Sequence, residues 1–209
     1  TTAYSRHFET VLQDMSDVGK ITPMTITHDE AKTALHLSEA EGIFAGVAPV
    51  SAAGISFHLG VWDYITQLMS VESAYYAFVD EPELLHAAME RLTAATIHGI
   101  EDANRLGVHN DNANLCHCSH IYTDELLPDS HQGRGPYSKN CWAFGLAQLF
   151  TSVSNEFFEE FELPYITRMA EYFGMIYYGC CDRLDHRLDL VKRIPNVKKV
   201  SCSPWSDRK

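Results

Sequence analysis

Trp142-Ala143-Phe144-Gly145-Leu146-Ala147-Gln148-Leu149-Phe150 opens the second half of the chain. A helical pattern runs from Ser154 to Phe173, and then comes Met175-Ile176-Tyr177-Tyr178-Gly179-Cys180-Cys181. Two short apolar runs on either side of a helix-length segment read as strand, helix, strand. A crossover of that length is what parallel strands require. Ser154 stands where a helix cap is needed. Phe157, Phe158, Phe161, Tyr165, Met169 and Phe173 recur at helical spacing and predict one buried face. Pro164 is expected to kink or split this helix, and Gly174 to end it.

The pattern extends outward in both directions. Leu184 to Arg193 reads as a short helix stopped by Pro195, and Lys198 to Ser203 as another strand, with Pro204-Trp205 turning away. Upstream, Thr27-His28-Asp29-Glu30 reads as a capping box for a helix running to about Gly42. The run Ile43-Phe44-Ala45-Gly46-Val47-Ala48-Pro49-Val50 is then expected to be a buried strand. Asp80-Glu81-Pro82-Glu83 starts a long helix with Asp80 as its cap and Pro82 in the first turn. Its buried stripe is Leu85, Met89, Leu92, Thr96, Gly99, Ala103 and Leu106, with Gly107 as the stop. Val108 to Leu115 reads as strand plus loop.

This order predicts an α/β fold of parallel strands joined by right-handed crossovers. The candidates are a doubly wound sheet and a (β/α)8 TIM-type barrel. No Gly-rich dinucleotide fingerprint follows the first strand, which weighs against the former. Residues 1–209 are read as a single domain and as an incomplete barrel, with about five of the eight βα units of a full one.

Composition bounds the function. The chain has 16 Lys+Arg against 28 Asp+Glu, a net charge of −12, and no basic run. That argues against nucleic acid or an anionic membrane as the main partner. No apolar stretch is long enough to span a bilayer. Six cysteines without a signal-peptide pattern predict thiols or metal ligands in a reducing cytoplasm. There is no P-loop and no Gly-x-Ser-x-Gly elbow.

In parallel α/β folds the ligand site lies beyond the C-terminal ends of the strands. The residues after each apolar run are therefore the candidates. They are Cys116-His117-Cys118-Ser119-His120, Gln148 to Ser152, Cys180-Cys181-Asp182, and Ser203-Pro204-Trp205-Ser206-Asp207. Thiolate and imidazole are zinc ligands, and His117 and Cys118 would need partners such as Cys180, Cys181 or Cys202 from adjacent strands. The bland alternative is a reduced, partly buried loop. A vicinal pair on a strand points to opposite sides, so only one of Cys180 and Cys181 is expected to face the site; the other reading packs one of them as a small apolar residue. Trp62-Asp63 offers an aromatic wall and a carboxylate to a flat ligand, or else a buried Trp and a local helix cap. Gln148 is a lone amide at a strand end.

Ser154-Asn155-Glu156-Phe157-Phe158-Glu159-Glu160-Phe161-Glu162-Leu163-Pro164-Tyr165 resembles a helix motif of the uroporphyrinogen decarboxylase superfamily, and Asp80-Glu81-Pro82-Glu83-Leu84-Leu85-His86 is similar to another. The Gly179-Cys180-Cys181 and Ser203-Pro204-Trp205 segments resemble one decarboxylase-like branch. The resemblance covers roughly residues 20 to 207. It implies a longer (β/α)8 barrel of which this chain is a part; the open strand edges of a partial barrel predict closure by a partner chain or a swapped homodimer. The resemblance also implies one of two chemistries. One is methyl transfer between a protein-borne corrinoid and a small thiol, with zinc making the thiolate. The family's His-x-Cys zinc motif falls on Tyr178-Gly179-Cys180, so Cys180 is the expected ligand, with His117, Cys118 or Cys181 replacing the lost His. The other is cofactor-free decarboxylation of a tetrapyrrole. A third reading keeps tetrapyrrole or corrinoid binding without turnover. Catalytic candidates are Cys180, Asp63 and Gln148. Substrate-binding candidates are Trp62, Tyr178, Ser203, Trp205 and Asp207.

Overall fold

Asp29, not Thr27, opens the first helix: its carboxylate accepts the Lys32 backbone N–H at 2.9 Å. The structure is a computed structural model and describes residues 8–111, 115–117, 119–126 and 135–207. Helix α1 (Glu30–Ile43) has no buried residue. The run after it, expected to be a buried strand, forms turns and coil and is mostly exposed, with Ile43 73% and Val47 79% accessible. Ala45, Gly46, Ala48 and Pro49 explain the difference. They lack the β-branched bulk that gives a strand something to bury, and a proline cannot donate to a ladder.

Helices α2 (Val61–Met69), α3 (Val71–Asp80) and α4 (Pro82–Leu106) then pack together. Ser70 joins the first two at φ 71° and caps α3 through the Ser73 N–H. The cap position of α4 is Glu81 rather than Asp80, and no side chain caps it; Pro82 occupies the first turn as expected. Most of the predicted stripe is realised: Leu85, Met89, Thr96, Gly99 and Ala103 are buried, while Leu92 and Leu106 are half-buried. Gly107 ends α4 in the left-handed region at φ 67°.

The strand predicted after α4 reduces to one parallel bridge, Ile55 to His109, and residues 112–114 lie outside the described ones. A hairpin comes next, β1 (Leu115–Cys116) paired antiparallel with β2 (Ser119–His120). The main sheet is β3 (Trp142–Gly145), β4 (Met175–Tyr178) and β5 (Val197–Val200), all parallel, in that order. Between β3 and β4 the chain forms α5 (Asn155–Phe161) and α6 (Leu163–Ala170), and α7 (Leu188–Val191) precedes β5. Pro164 sits in the first turn of α6, where its missing N–H costs no bond, so it splits the helix as predicted. The Ser154 hydroxyl accepts the Phe157 N–H at 3.4 Å.

Among the described residues no barrel is formed: there are two sheets, one of two strands and one of three. Among the described residues, upstream backbone pairs with β3 through one parallel bridge, His58 to Phe144, closed by the Leu59 N–H to the Phe144 C=O at 2.7 Å and the Phe144 N–H to the Phe57 C=O at 3.2 Å. The expectation of about five strand units counts every apolar run as a strand, and the two upstream runs are not.

The core lies between α2–α6 and the sheet. All four residues of β4 are buried. An aromatic cluster forms its centre, with Trp62 5.0 Å from Phe150 and Phe78 5.0 Å from Phe161, ring centroid to centroid. Edge-on pairs of this kind favour the rings' quadrupoles beyond simple burial.

Candidate functional site

The C-terminal ends of three parallel strands lie along one edge of the sheet. Gln148 follows β3, Cys180 follows β4, and Ser203 and Trp205 follow β5. Gly179 makes the exit from β4. It stands at φ +90°, and a Cβ there would lie 2.6 Å from Ser201 Oγ and also against Leu184. The chain then bends, and the Cys180 N–H donates to Asp182 Oδ1 at 2.8 Å.

This bend changes the expected geometry of the vicinal pair. The two sulfurs do not point apart: Cys180 Sγ and Cys181 Sγ are 3.4 Å from one another. The alternation of strand side chains does not apply, because β4 ends at Tyr178. Cys180 is buried and Cys181 exposed. Cys180 Sγ also lies 3.5 Å from His117 Nδ1. His117 sits in the hairpin turn at φ 54°, and its ring stacks on Phe144 at 4.5 Å with planes 6° apart. Cys118 lies outside the described residues.

His58 approaches Phe144 from another direction, edge-on at 5.1 Å. Its Nδ1 accepts the Gly60 N–H at 3.2 Å, so the ring proton of the neutral form is on Nε2. That nitrogen faces Asp63 Oδ2 at 3.9 Å. Burial lowers the His58 pKa, with Asp63 opposing it, and burial raises the Asp63 pKa, with His58 opposing it. His58, Cys116, His117, Trp142 and Phe144 line a cavity of about 140 Å³.

Joined to β4 through Tyr178 is a buried carboxyl that the sequence pattern does not single out. Glu162, at the joint of α5 and α6, is 1% exposed. The Tyr178 hydroxyl donates to its Oε1 at 3.0 Å, and its Oε2 has no hydrogen-bond partner. Burial pushes its pKa up to about 8 against the hydrogen bond from Tyr178. It falls four residues after Phe158 and three before Tyr165, on the buried stripe, and that spacing is the available signal. Asp182 is buried close by. Arg187 is buried over the Phe158 ring at 5.2 Å and donates to the Val153 carbonyl at 3.0 Å.

The structure thus brings Cys180, Cys181 and His117 together, with Asp63 reaching the same region through His58. Trp62 is not a wall for a ligand. It is fully buried in the aromatic cluster, its Nε1–H donating to the Phe161 carbonyl at 3.3 Å. Tyr178 is likewise fully buried. Ser203 is buried with its Oγ 3.3 Å from Ser206 Oγ, while Gln148, Trp205 and Asp207 are exposed.

Thiolate and imidazole are the donor types of a zinc site, and 3.4 and 3.5 Å approach the roughly 3.6 Å edge of a zinc tetrahedron. Cys180 and His117 therefore fit as two ligands. Among the described residues, however, no group of three or more His, Cys, Asp and Glu is arranged to hold a metal ion. Nor is any helix among them long and apolar enough to cross a membrane. No family model, curated protein or solved structure matches this chain.

Proposed function

We propose that the thiol cluster beyond β4 is the centre of a methyl-transfer site of the corrinoid-linked branch of the uroporphyrinogen decarboxylase superfamily. Cys180 is its central thiolate. The observation that carries the reading is the approach of Cys180 Sγ to His117 Nδ1, 3.5 Å, at the end of the middle strand of a parallel sheet. Cys180 and His117 would hold a zinc ion, with Cys181 in reach. When bound, zinc favours thiolate over thiol at neutral pH.

The chain's own groups prepare the site. The Asp182 carboxylate fixes the Cys180 backbone, and Phe144 holds the His117 ring by stacking. His58 keeps a proton on Nε2, directed at Asp63, beside the small cavity. The corrinoid is carried by a partner protein, and the acceptor is a small thiol.

The test is metal analysis of the whole chain and its Cys180→Ser variant. About one zinc per chain is expected, lost in Cys180→Ser and kept in Cys202→Ser. Absence of zinc from the parent, or equal zinc in Cys180→Ser, overturns the reading.

A further inference from the structure

Adjacent cysteines are common enough; adjacent cysteines whose sulfurs touch are not dictated by their spacing. Here Cys180 Sγ and Cys181 Sγ are 3.4 Å apart, in contact though longer than the roughly 2.05 Å of a disulfide bond. Cys181 is exposed, so an oxidant reaches it first, and Cys180 lies behind it with His117 Nδ1 at 3.5 Å. An accessible thiol, a second thiol poised to resolve it, and a base beside the second are the parts of a redox pair. Cys141 is the contrast within the same chain. It is buried, its Sγ donates to the Tyr137 carbonyl at 3.2 Å, and burial pushes its pKa up to about 12, so it stays a thiol.

We propose that Cys180 and Cys181 form a reversible oxidation site that closes to a vicinal disulfide when the protein meets a hydroperoxide. In the first step Cys181 Sγ attacks the terminal peroxide oxygen. The O–O bond breaks, a sulfenic acid forms, and the leaving oxygen departs as water or alcohol with the thiol proton. In the second step Cys180 gives its proton to His117 Nδ1 and its sulfur attacks Cys181 Sγ. The S–O bond breaks, and the departing hydroxide takes up that proton as water. Two thiols are oxidised by two electrons, and one peroxide is reduced.

The product is built to be temporary. Neighbouring Cα atoms are about 3.8 Å apart, below the ~4.4 Å at which ordinary disulfides begin. Such a bond is strained and readily reduced by a dithiol. While it lasts, neither sulfur is a thiolate, so the site proposed above is switched off. The oxidation itself does not depend on that reading, because it needs only the two sulfurs and His117.

Trypsin isolates the pair. Cleavage after Arg168 and Arg183 releases residues 169–183, in which Cys180 and Cys181 are the only cysteines. The whole chain, stripped of metal with a chelator, is treated briefly with hydrogen peroxide, alkylated and digested. The expected peptide is lighter by two hydrogens, takes no alkyl group, and regains two alkylatable thiols after dithiothreitol. The Cys181→Ser peptide never shows the two-hydrogen loss. A parent peptide that stays doubly alkylatable, carries sulfinic acid, or is cross-linked to a peptide bearing another cysteine overturns the proposal. Because metal is removed first, this result and the zinc result fail independently.

Discussion

Replacing Glu162 by Gln removes a carboxyl whose ionisation opposes folding, and the effect has a definite pH signature. The folded carboxyl titrates at about 8 against an ordinary value of 4.5, chiefly because it is fully buried. Below pH 4.5 both folded and unfolded states hold the proton, and the shift costs nothing. As pH rises from 4.5 to about 8 the unfolded carboxyl ionises while the folded one does not. The native state then binds more protons, and stability falls by about 1.4 kcal/mol per pH unit. By pH 7 the accumulated loss is about 3 kcal/mol. Above about 8 the loss stops growing, since both states are ionised. Gln keeps the oxygen that accepts from the Tyr178 hydroxyl but cannot ionise. Its NH₂ in place of the unpartnered Oε2 adds a constant penalty of about 1–3 kcal/mol, the same at every pH. Urea unfolding of parent and variant at pH 5, 6 and 7 separates the two contributions. The difference in stability, variant minus parent, should climb by about 2.5 kcal/mol from pH 5 to pH 7. Other titrating groups cancel in that difference. Parallel stability profiles would mean that Glu162 ionises normally in the folded state and would refute the reasoning.

Two further substitutions test the packing that supports the site. Gly179→Ala forces a side chain into φ +90° and against Leu184 and Ser201, so a loss of about 1–3 kcal/mol in urea unfolding is expected, with reduced zinc content if Cys180 is displaced. Phe161→Ala empties the middle of the aromatic cluster, where Phe161 is fully buried beside Phe78 and stacked on His86 at 4.4 Å. A loss of about 3–5 kcal/mol by the same measurement is expected, and a change under about 1 kcal/mol would mean that the cluster collapses into the gap.

The second half of the chain is legible because local and tertiary signals agree there. Met175 to Tyr178 is apolar throughout, bulky and short, and a strand buried on both faces needs those properties. Pro164 splits its helix where its chemistry requires. Upstream the signals diverge. Ile43 to Val50 is apolar by count, yet its Ala, Gly and Pro residues leave little to bury, and periodicity alone does not separate such a run from an exposed coil. The barrel expectation rests on that run and on Val108 to Leu115. Within the site, Cys180, Cys181 and His117 can be found from residue type and strand-end position. Glu162 cannot be found that way, because a Glu among Glu159, Glu160 and Phe161 looks like part of a solvated face. Only the helix phase set by Phe158 and Tyr165 turns it inward. Trp62 misleads for the opposite reason: a large aromatic beside a carboxylate suits a ligand wall, and here the ring is consumed by the core.

The enclosure of β4 has a consequence for how its thiols respond to change. Met175, Ile176, Tyr177 and Tyr178 are each at most 4% exposed, and the peptide leaves this walled track through a single glycine. The sulfurs are therefore the tip of a short rod gripped along its length. A methyl group added or removed anywhere along the grip displaces the tip, so drift in the reactive geometry is inherited from residues that never meet a ligand. Tolerance to mutation should follow distance from this rod rather than distance from solvent.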